Sequence, residues 1–99
     1  MLPVRRVVLD VLKPADPSTV DLARLIADVD GVAGVNAVVV DVTPEIQTIK
    51  LTIEGDAVDV DAVESTIDAR GASVHSIDRV VRGERPPGAD ANEAPRDRP

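Results

Sequence analysis

The chain has 99 residues, a net charge of −7, and no Cys, Phe, Tyr or Trp. Without cysteine, disulfides, thiolate zinc sites and a cysteine nucleophile are excluded, and without aromatic rings, base stacking on a sheet is excluded. The negative charge argues against nucleic acid as a partner, because phosphate binding relies on clustered Lys and Arg. The sequence starts without a signal-peptide pattern and contains no run of about 18 apolar residues, so we expect a cytoplasmic protein with no membrane partner.

The first half of the chain predicts a strand, a helix and a second strand. Residues 4–12 alternate as a strand does, and the residues on one face are Val7, Leu9 and Val11. Asp16 before Pro17 is typical of a helix N-cap followed by proline at the first helical position. The apolar stripe of the helix follows at helical spacing, with Leu22, Leu25, Ile26 and Val29. Gly31 ends this helix, and residues 35–43 form the second strand.

The second half repeats the pattern. Residues 48–55 alternate strictly, Asp59 caps a helix that runs to Arg70, Gly71 takes the left-handed conformation after it, and residues 73–81 form a fourth strand. The order of elements predicts an α+β fold of the ferredoxin-like type, a βαββαβ sandwich. We expect a four-stranded antiparallel sheet with both helices on one face and the other face open.

The composition changes near the end of the chain. Residues 1–82 make one domain, whereas residues 83–99 contain no Val, Ile or Leu and are rich in Pro and charged residues. Such a segment buries too little apolar surface to offset the entropy of ordering. We predict a disordered, acidic and proline-rich tail over residues 83–99.

The open sheet face carries the candidate site. In this fold the first strand lies between the third and the fourth, so Asp10 lies near Lys50 or Thr52 on one side. On its other side lies either His75 or the pair Ser76 and Asp78, depending on the register of the fourth strand.

Two interpretations of this face follow. In the first, Asp10, His75 and Asp78 bind a polar ligand or a metal, and Lys50 contacts an anion. In the second, the face is a subunit interface in which Asp10 pairs with Lys50, because exposed apolar sheet surface usually marks association. The apolar part of that interface is expected from Val8, Leu12 and Val80.

Metal chemistry is limited by the residues present. A single histidine without cysteine rarely makes a transition-metal site, but carboxylates leave Ca²⁺ or Mg²⁺ as candidates. The candidate metal ligands are Asp10, His75, Asp78, Glu54 and Asp56. The acidic run of residues 54–61 has a second explanation, since Asp59 and Asp61 lie where the dipole of a helix favours negative charge.

The turn after the first strand does not fit common site chemistries. A phosphate cradle needs free backbone N–H groups, which Pro14 and Pro17 lack. Ser18 and Thr19 are better explained as acceptors for the first amides of the helix than as nucleophiles. Lys13 is the remaining candidate for ligand binding in this turn.

Four segments, "RRVVLDVLKPADPS", "DGVAGVNAVVVDV", "IKLTIEG" and "VHSIDRVV", resemble the domain-of-unknown-function 211 family of small, mostly archaeal proteins. The resemblance runs over residues 4–82 and implies a ferredoxin-like fold and association into homo-oligomers. It implies no activity. In that family a histidine often stands where this chain has Ala15, so no site that uses that imidazole is expected here.

Other families with this fold differ in the first strand–helix turn. Heavy-metal chaperone domains have Cys-x-x-Cys there, and acylphosphatases have a glycine-rich loop with an arginine. Amino-acid-sensing ACT-like domains remain compatible. The leading hypothesis is a non-enzymatic homo-oligomer whose open sheet face or sheet edges make the subunit contacts, with a small ligand or a divalent cation bound at subunit junctions. The alternative is an enzyme with a carboxylate–histidine site on the open face. The candidate ligand-binding or interface residues are Asp10, Lys13, Lys50, His75, Ser76 and Asp78.

Overall fold

The computed structural model describes residues 2–84 and contains the six predicted elements in the predicted order. The strands are β1 (Val4–Lys13), β2 (Gly34–Val42), β3 (Gln47–Glu54) and β4 (Ser73–Arg82). The helices are α1 (Thr19–Ala27) and α2 (Val60–Ala69). The predicted tail lies, from residue 85 onward, outside the described residues. Within residues 2–84, neither helix has the length and apolar character to cross a membrane.

The sheet has the predicted topology. Its strand order is β2-β3-β1-β4, and every neighbouring pair is antiparallel. The two central strands, β1 and β3, are therefore paired on both sides, whereas β2 and β4 are the edges. This α+β arrangement is the ferredoxin-like fold that the order of elements predicted.

The core is aliphatic and lies between the helices and one face of the sheet. Alternate residues of the central strands contribute to it because side chains alternate between the two faces of a strand. Fully buried aliphatic side chains come from both central strands and both helices: Val7, Leu9, Val11, Leu22, Ile26, Ile49, Leu51, Ile53, Val63 and Ile67. Each such side chain stabilises the fold by about 1.5–3 kcal/mol relative to exposure, so these positions hold the helices against the sheet.

The N-terminus of α1 differs from the prediction. Asp16 is not the N-cap; the cap is Ser18, whose backbone is extended and whose Oγ accepts a hydrogen bond from Asp21 N at 3.1 Å. The helix starts at Thr19, and the Asp16–Pro17 peptide is cis. Ser18 is the cap because its hydroxyl group lies within reach of the backbone amide of Asp21, the third residue of the helix. Asp16 lies two residues before Ser18.

The register of β4 contains irregularities that the alternation pattern does not show. Asp10 lies opposite Ser76, and the shifts of register on either side of this pair leave His75 and Asp78 as extra residues of the strand. These bulges re-aim side chains and change which face later residues occupy. Val80 consequently pairs with Val7, on the helix side of the sheet, so its predicted place on the open face is wrong.

Candidate functional site

Four polar side chains meet on the open face and are called the open-face cluster: Asp10, Lys50, Ser76 and Asp78. The register positions them, because Asp10 on β1 lies opposite Lys50 on β3 and opposite Ser76 on β4. From Arg6 onward, the even-numbered residues of β1 point away from the helices. Of the two positions predicted on the β3 side, Asp10 therefore has Lys50 as its partner rather than Thr52.

The cluster is held together by ion pairs and hydrogen bonds. Lys50 Nζ lies 3.1 Å from Asp78 Oδ2 and 3.6 Å from Asp10 Oδ1. Ser76 Oγ lies 2.8 Å from Asp78 Oδ1 and 3.4 Å from Asp10 Oδ2. Lys50 and Ser76 therefore both bridge the two carboxylates, which brings together residues from three strands.

The electrostatics of the cluster favour its charged form. The hydrogen bond with Asp78, followed by the negative charges of Asp10 and Asp78, raises the pKa of Lys50 above its usual value. Hydrogen bonds from Ser76 and from Lys50 lower the pKa of Asp78. Both shifts move titration away from neutral pH, so neither group suits general acid–base chemistry, which needs a pKa near the working pH.

Asp10 retains an unused acceptor. Its Oδ1 atom is buried and accepts no hydrogen bond from the residues that the structure describes, while Lys50 Nζ lies 3.6 Å away. Buried carboxylate oxygens normally have a donor or a cation. The ammonium group of Lys50, 3.6 Å away, is the cation beside this atom.

His75 does not join the cluster. Its side chain is exposed and makes no hydrogen bond or ion pair within residues 2–84. Carboxylate–histidine catalysis requires a carboxylate that orients the imidazole ring. The described residues do not form that contact.

The two acidic residues predicted as further metal ligands lie elsewhere. Glu54 forms an ion pair with Arg6, and Asp56 Oδ1 lies 3.4 Å from an Nη atom of Arg5. Arg6 is four residues from Asp10, about 13 Å along the strand. Across the described part of the chain, no three His, Cys, Asp or Glu side chains are grouped to hold a metal ion.

Lys13 lies on the helix side of the sheet rather than on the open face. Its side chain is fully buried, and Nζ donates hydrogen bonds to the carbonyl oxygens of Pro14 at 2.8 Å and Pro17 at 2.7 Å. Burial lowers the pKa of Lys13, and the negative charge of Asp16 partly opposes this. The lysine therefore fastens the turn between β1 and α1. Lys13 and Val11 are alternate residues of β1 and point to the same face of the sheet, so the alternation of the strand was a sequence signal for the burial of Lys13.

A shallow cavity of about 350 Å³ lies away from the cluster, between the segment before β1 and the start of α2. Its walls include Leu2, Val60, Asp61 and Arg82. Arg82 donates from Nη1 to Leu2 O at 2.7 Å, so part of its guanidinium is already committed. The cavity includes no member of the open-face cluster.

Both sheet edges expose apolar side chains, which the predicted site did not include. On β2 these are Val38, Val39, Val40 and Val42. On β4 they are Ile77 and Val80. The uninterrupted apolar run "AVVV" (residues 37–40) was a sequence signal for the first set, since a strand with one face exposed to solvent alternates more strictly.

Comparison with known proteins identifies the family. The chain matches the model of the DUF211 family, described as uncharacterized ArCR, over residues 5–95. It is 39% identical over 82 residues to the uncharacterized protein MJ0319 of Methanocaldococcus jannaschii, a match that covers 83% of this chain and 84% of that one. The family match extends beyond the domain boundary predicted at residue 82. The family resemblance seen in the sequence is thus confirmed, and the chain belongs to the DUF211 family.

Proposed function

We propose that this chain is a non-enzymatic, homo-oligomeric domain whose sheet edges make the subunit contacts. The observation that supports this is the exposure of apolar side chains along both edges. Val38, Val40 and Val42 are each more than half exposed, and Val80 is 50% exposed. Edge strands of stable monomers usually carry protecting charges or prolines, but β2 has Asp41 as its one charged residue and contains no proline.

The open face is a weaker candidate for the contact. Its most prominent side chains are charged and already paired within the chain, as in Arg6 with Glu54 and in the open-face cluster. The two apolar residues expected to lead an interface there, Val8 and Leu12, are only partly exposed. Burial of apolar surface drives association. The sheet edges are therefore better candidates for the subunit contact than the open face.

The open-face cluster is the proposed position for a small ligand or for Ca²⁺ or Mg²⁺. It contains two carboxylates, and two of its residues, Ser76 and Asp78, lie on the edge strand β4. Lys50 occupies the space between the carboxylates, so a cation has to displace the ammonium group. We therefore expect weak cation binding by the native chain and tighter binding when Lys50 is neutralised.

Light scattering after size exclusion tests the oligomer. At micromolar concentration we expect a mass that is a multiple of the 10.4 kDa chain. A charge at the β2 edge, in Val39→Lys, should reduce this mass, whereas Val20→Lys on exposed helix surface should leave it unchanged. A native chain that runs as a 10.4 kDa monomer contradicts the proposal.

Thermal shift with Ca²⁺ and Mg²⁺ tests the cation separately. A ligand that binds only the folded chain stabilises it by RT ln(1 + [L]/Kd). Lys50→Met should enlarge the shift, and adding Asp10→Asn to that variant should remove it. Asp56→Asn, which changes a carboxylate outside the cluster, serves as the control. If Lys50→Met shows no shift with either ion, the cation proposal fails and the oligomer proposal is unaffected.

A further inference from the structure

We propose that the two edges are complementary, so that β2 of one copy adds to β4 of the next copy and the assembly is head-to-tail. This inference rests on the proposed homo-oligomer and specifies its contact. The occupant of each edge is then a second copy of the same chain. The argument uses strand direction, the apolar pattern and charge.

Strand direction permits the addition. β2 runs antiparallel to β3, β3 antiparallel to β1, and β1 antiparallel to β4. β2 and β4 therefore run in opposite directions within one sheet. A second copy that places its β2 beside β4 continues an antiparallel sheet and keeps all helices on the same side.

The apolar residues match in position. On β2, Val39 and Val42 share the helix side, because Val39 pairs with Ile49 and a register shift follows it. On β4, Ile77 and Val80 share the helix side, because they pair with Leu9 and Val7. Each edge thus presents two apolar residues on the helix side with two residues between them. One of these two has no partner in the neighbouring strand of its own sheet: Val40 on β2 and Asp78 on β4. Aligned antiparallel, Val39 faces Val80 and Val42 faces Ile77.

Charge fits the same register. Between the two apolar pairs, the open-side residue of β2 is Asp41, which pairs with Thr48 in its own chain. The corresponding open-side residue of β4 is Arg79, which pairs with Val8. Both side chains are exposed and have no ion-pair partner within residues 2–84. When the extra residue of each strand, Val40 on β2 and Asp78 on β4, is skipped as it is in the chain's own sheet, the apolar alignment brings Asp41 and Arg79 face to face. Such cross-strand pairs of opposite charge are favourable.

A symmetric contact fits these observations less well. Pairing β2 with β2 of a second copy covers the valines but leaves Ile77, Val80 and Arg79 unpartnered. The head-to-tail contact covers both edges at once. Because such a contact is not self-complementary, it generates either a closed ring or an open filament rather than a simple dimer.

Disulfide cross-linking tests which strands meet, since the chain has no cysteine of its own. Residues directly opposite in antiparallel strands have Cα atoms about 4.5–5.5 Å apart, which suits a disulfide. A mixture of Val42→Cys and Ile77→Cys chains should form a covalent 42–77 pair on oxidation, and neither chain alone should dimerise. Self-linkage of either variant, or no 42–77 product from an oligomeric mixture, overturns the head-to-tail contact. A monomeric native chain would instead overturn the proposed oligomer itself.

Charge reversal gives an independent test. Asp41→Arg and Arg79→Asp should each raise the concentration at which the assembly dissociates by roughly tenfold or more, because like charges then face each other. The double variant should recover most of the native assembly. Asp68→Arg, with the same change of charge on exposed α2, should leave assembly intact. Full assembly of both single reversals, or no recovery in the double variant, contradicts the register.

Discussion

Lys13 shows how one residue can hold a turn without an acidic partner. Its ammonium is buried against two carbonyl oxygens, and no carboxylate of residues 2–84 forms a hydrogen bond with it. A neutral amine also has two N–H donors, enough for both carbonyls. The neutral form can therefore donate to both carbonyls as the charged form does, and burial lowers the pKa by favouring the neutral form, against the opposing charge of Asp16.

This arrangement predicts an unusual alkaline behaviour. The folded pKa of Lys13 is lowered from 10.5, so between the two pKa values the unfolded chain binds more protons than the folded chain. The free energy of unfolding should then rise with pH toward 10.5. Urea unfolding between pH 8 and about 10.5 measures this, and Lys13→Met should lose the rise attributable to this residue. The variant should also be less stable at pH 7 by about 1–3 kcal/mol, because it leaves the carbonyls unpaired.

Lys50→Met is the matched control for this experiment. The folded pKa of Lys50 is raised, so its contribution to stability is present below 10.5 and is lost only as pH rises through the higher folded value. Lys50→Met should therefore keep the rise that Lys13→Met loses. The chain has no Tyr or Cys, so no other side-chain type titrates strongly near pH 9–10. Equal slopes for native and Lys13→Met chains would contradict the buried-lysine interpretation.

The face of the sheet on which a residue lies was predictable from the sequence where the alternation of side chains along a regular strand alone determines it. Alternation predicts Asp10 on the open face, and the topology predicts Lys50 or Thr52 on β3 as its neighbour; the register in the structure selects Lys50. Lys13 has the parity of the core residues, and this parity, rather than the ligand-binding role expected for it in the turn, agrees with its burial. The isolation of His75 could not be predicted, because the register of β4 decides which side chains reach Asp10.

At the level of elements, the start of α1 depends on one hydroxyl. Ser18→Ala removes the acceptor for Asp21 N and should cost about 0.5–2 kcal/mol. Asp16 is exposed and makes no hydrogen bond within the described residues, so Asp16→Ala should change stability by less than about 0.5 kcal/mol. Thermal or urea unfolding of both variants measures the difference. A larger loss of stability from Asp16→Ala than from Ser18→Ala would mean that Asp16, not Ser18, caps the helix.

Two loops meet at backbone distance at one end of the sheet. A Cβ added at Gly55 would lie 1.8 Å from Gly31 O, whereas a Cβ added at Gly34 would meet nothing within 4 Å. Gly55→Ala should therefore destabilise the fold by about 1–3 kcal/mol or more. Gly34→Ala should be neutral, or stabilising by up to about 1 kcal/mol, since it only restricts the unfolded chain. Equal effects in unfolding experiments would show that the loops separate at little cost.

The sequence predicted all six elements because long apolar patterns determine them. Their ends lie within a few residues of the predictions, and the α1 cap was misplaced because Asp-Pro and Ser-Thr-Val-Asp both signal a helix start. Bulges were not predictable, since one extra residue in β4 changes side-chain direction without changing composition. The alternation pattern therefore predicts Val80 on the open face, whereas the structure places it on the helix side. The match in position between the apolar residues of the two edges depends on these bulges and is seen only in the structure.

For the whole molecule, size limits what one copy can bury. A chain of this length leaves a large fraction of its surface exposed, and its core contains only aliphatic side chains. The exposed valines of β2 and the exposed Ile77 and Val80 of β4 are apolar surface that the isolated fold does not use. Covering both edges in an assembly extends the buried apolar area beyond the core of one copy.

Stability should therefore depend on protein concentration. If only folded chains assemble, dilution dissociates the assembly and shifts the equilibrium toward unfolding. The melting temperature should then fall by several degrees for each tenfold dilution through the concentration range in which the assembly dissociates. Val39→Lys should melt lower and lose this dependence, because its chains fold as monomers and their unfolding is unimolecular. Val20→Lys should keep it. A native melting temperature that stays constant from millimolar to nanomolar concentration would mean that the edges contribute nothing to stability, and the apolar strands would then require a different partner.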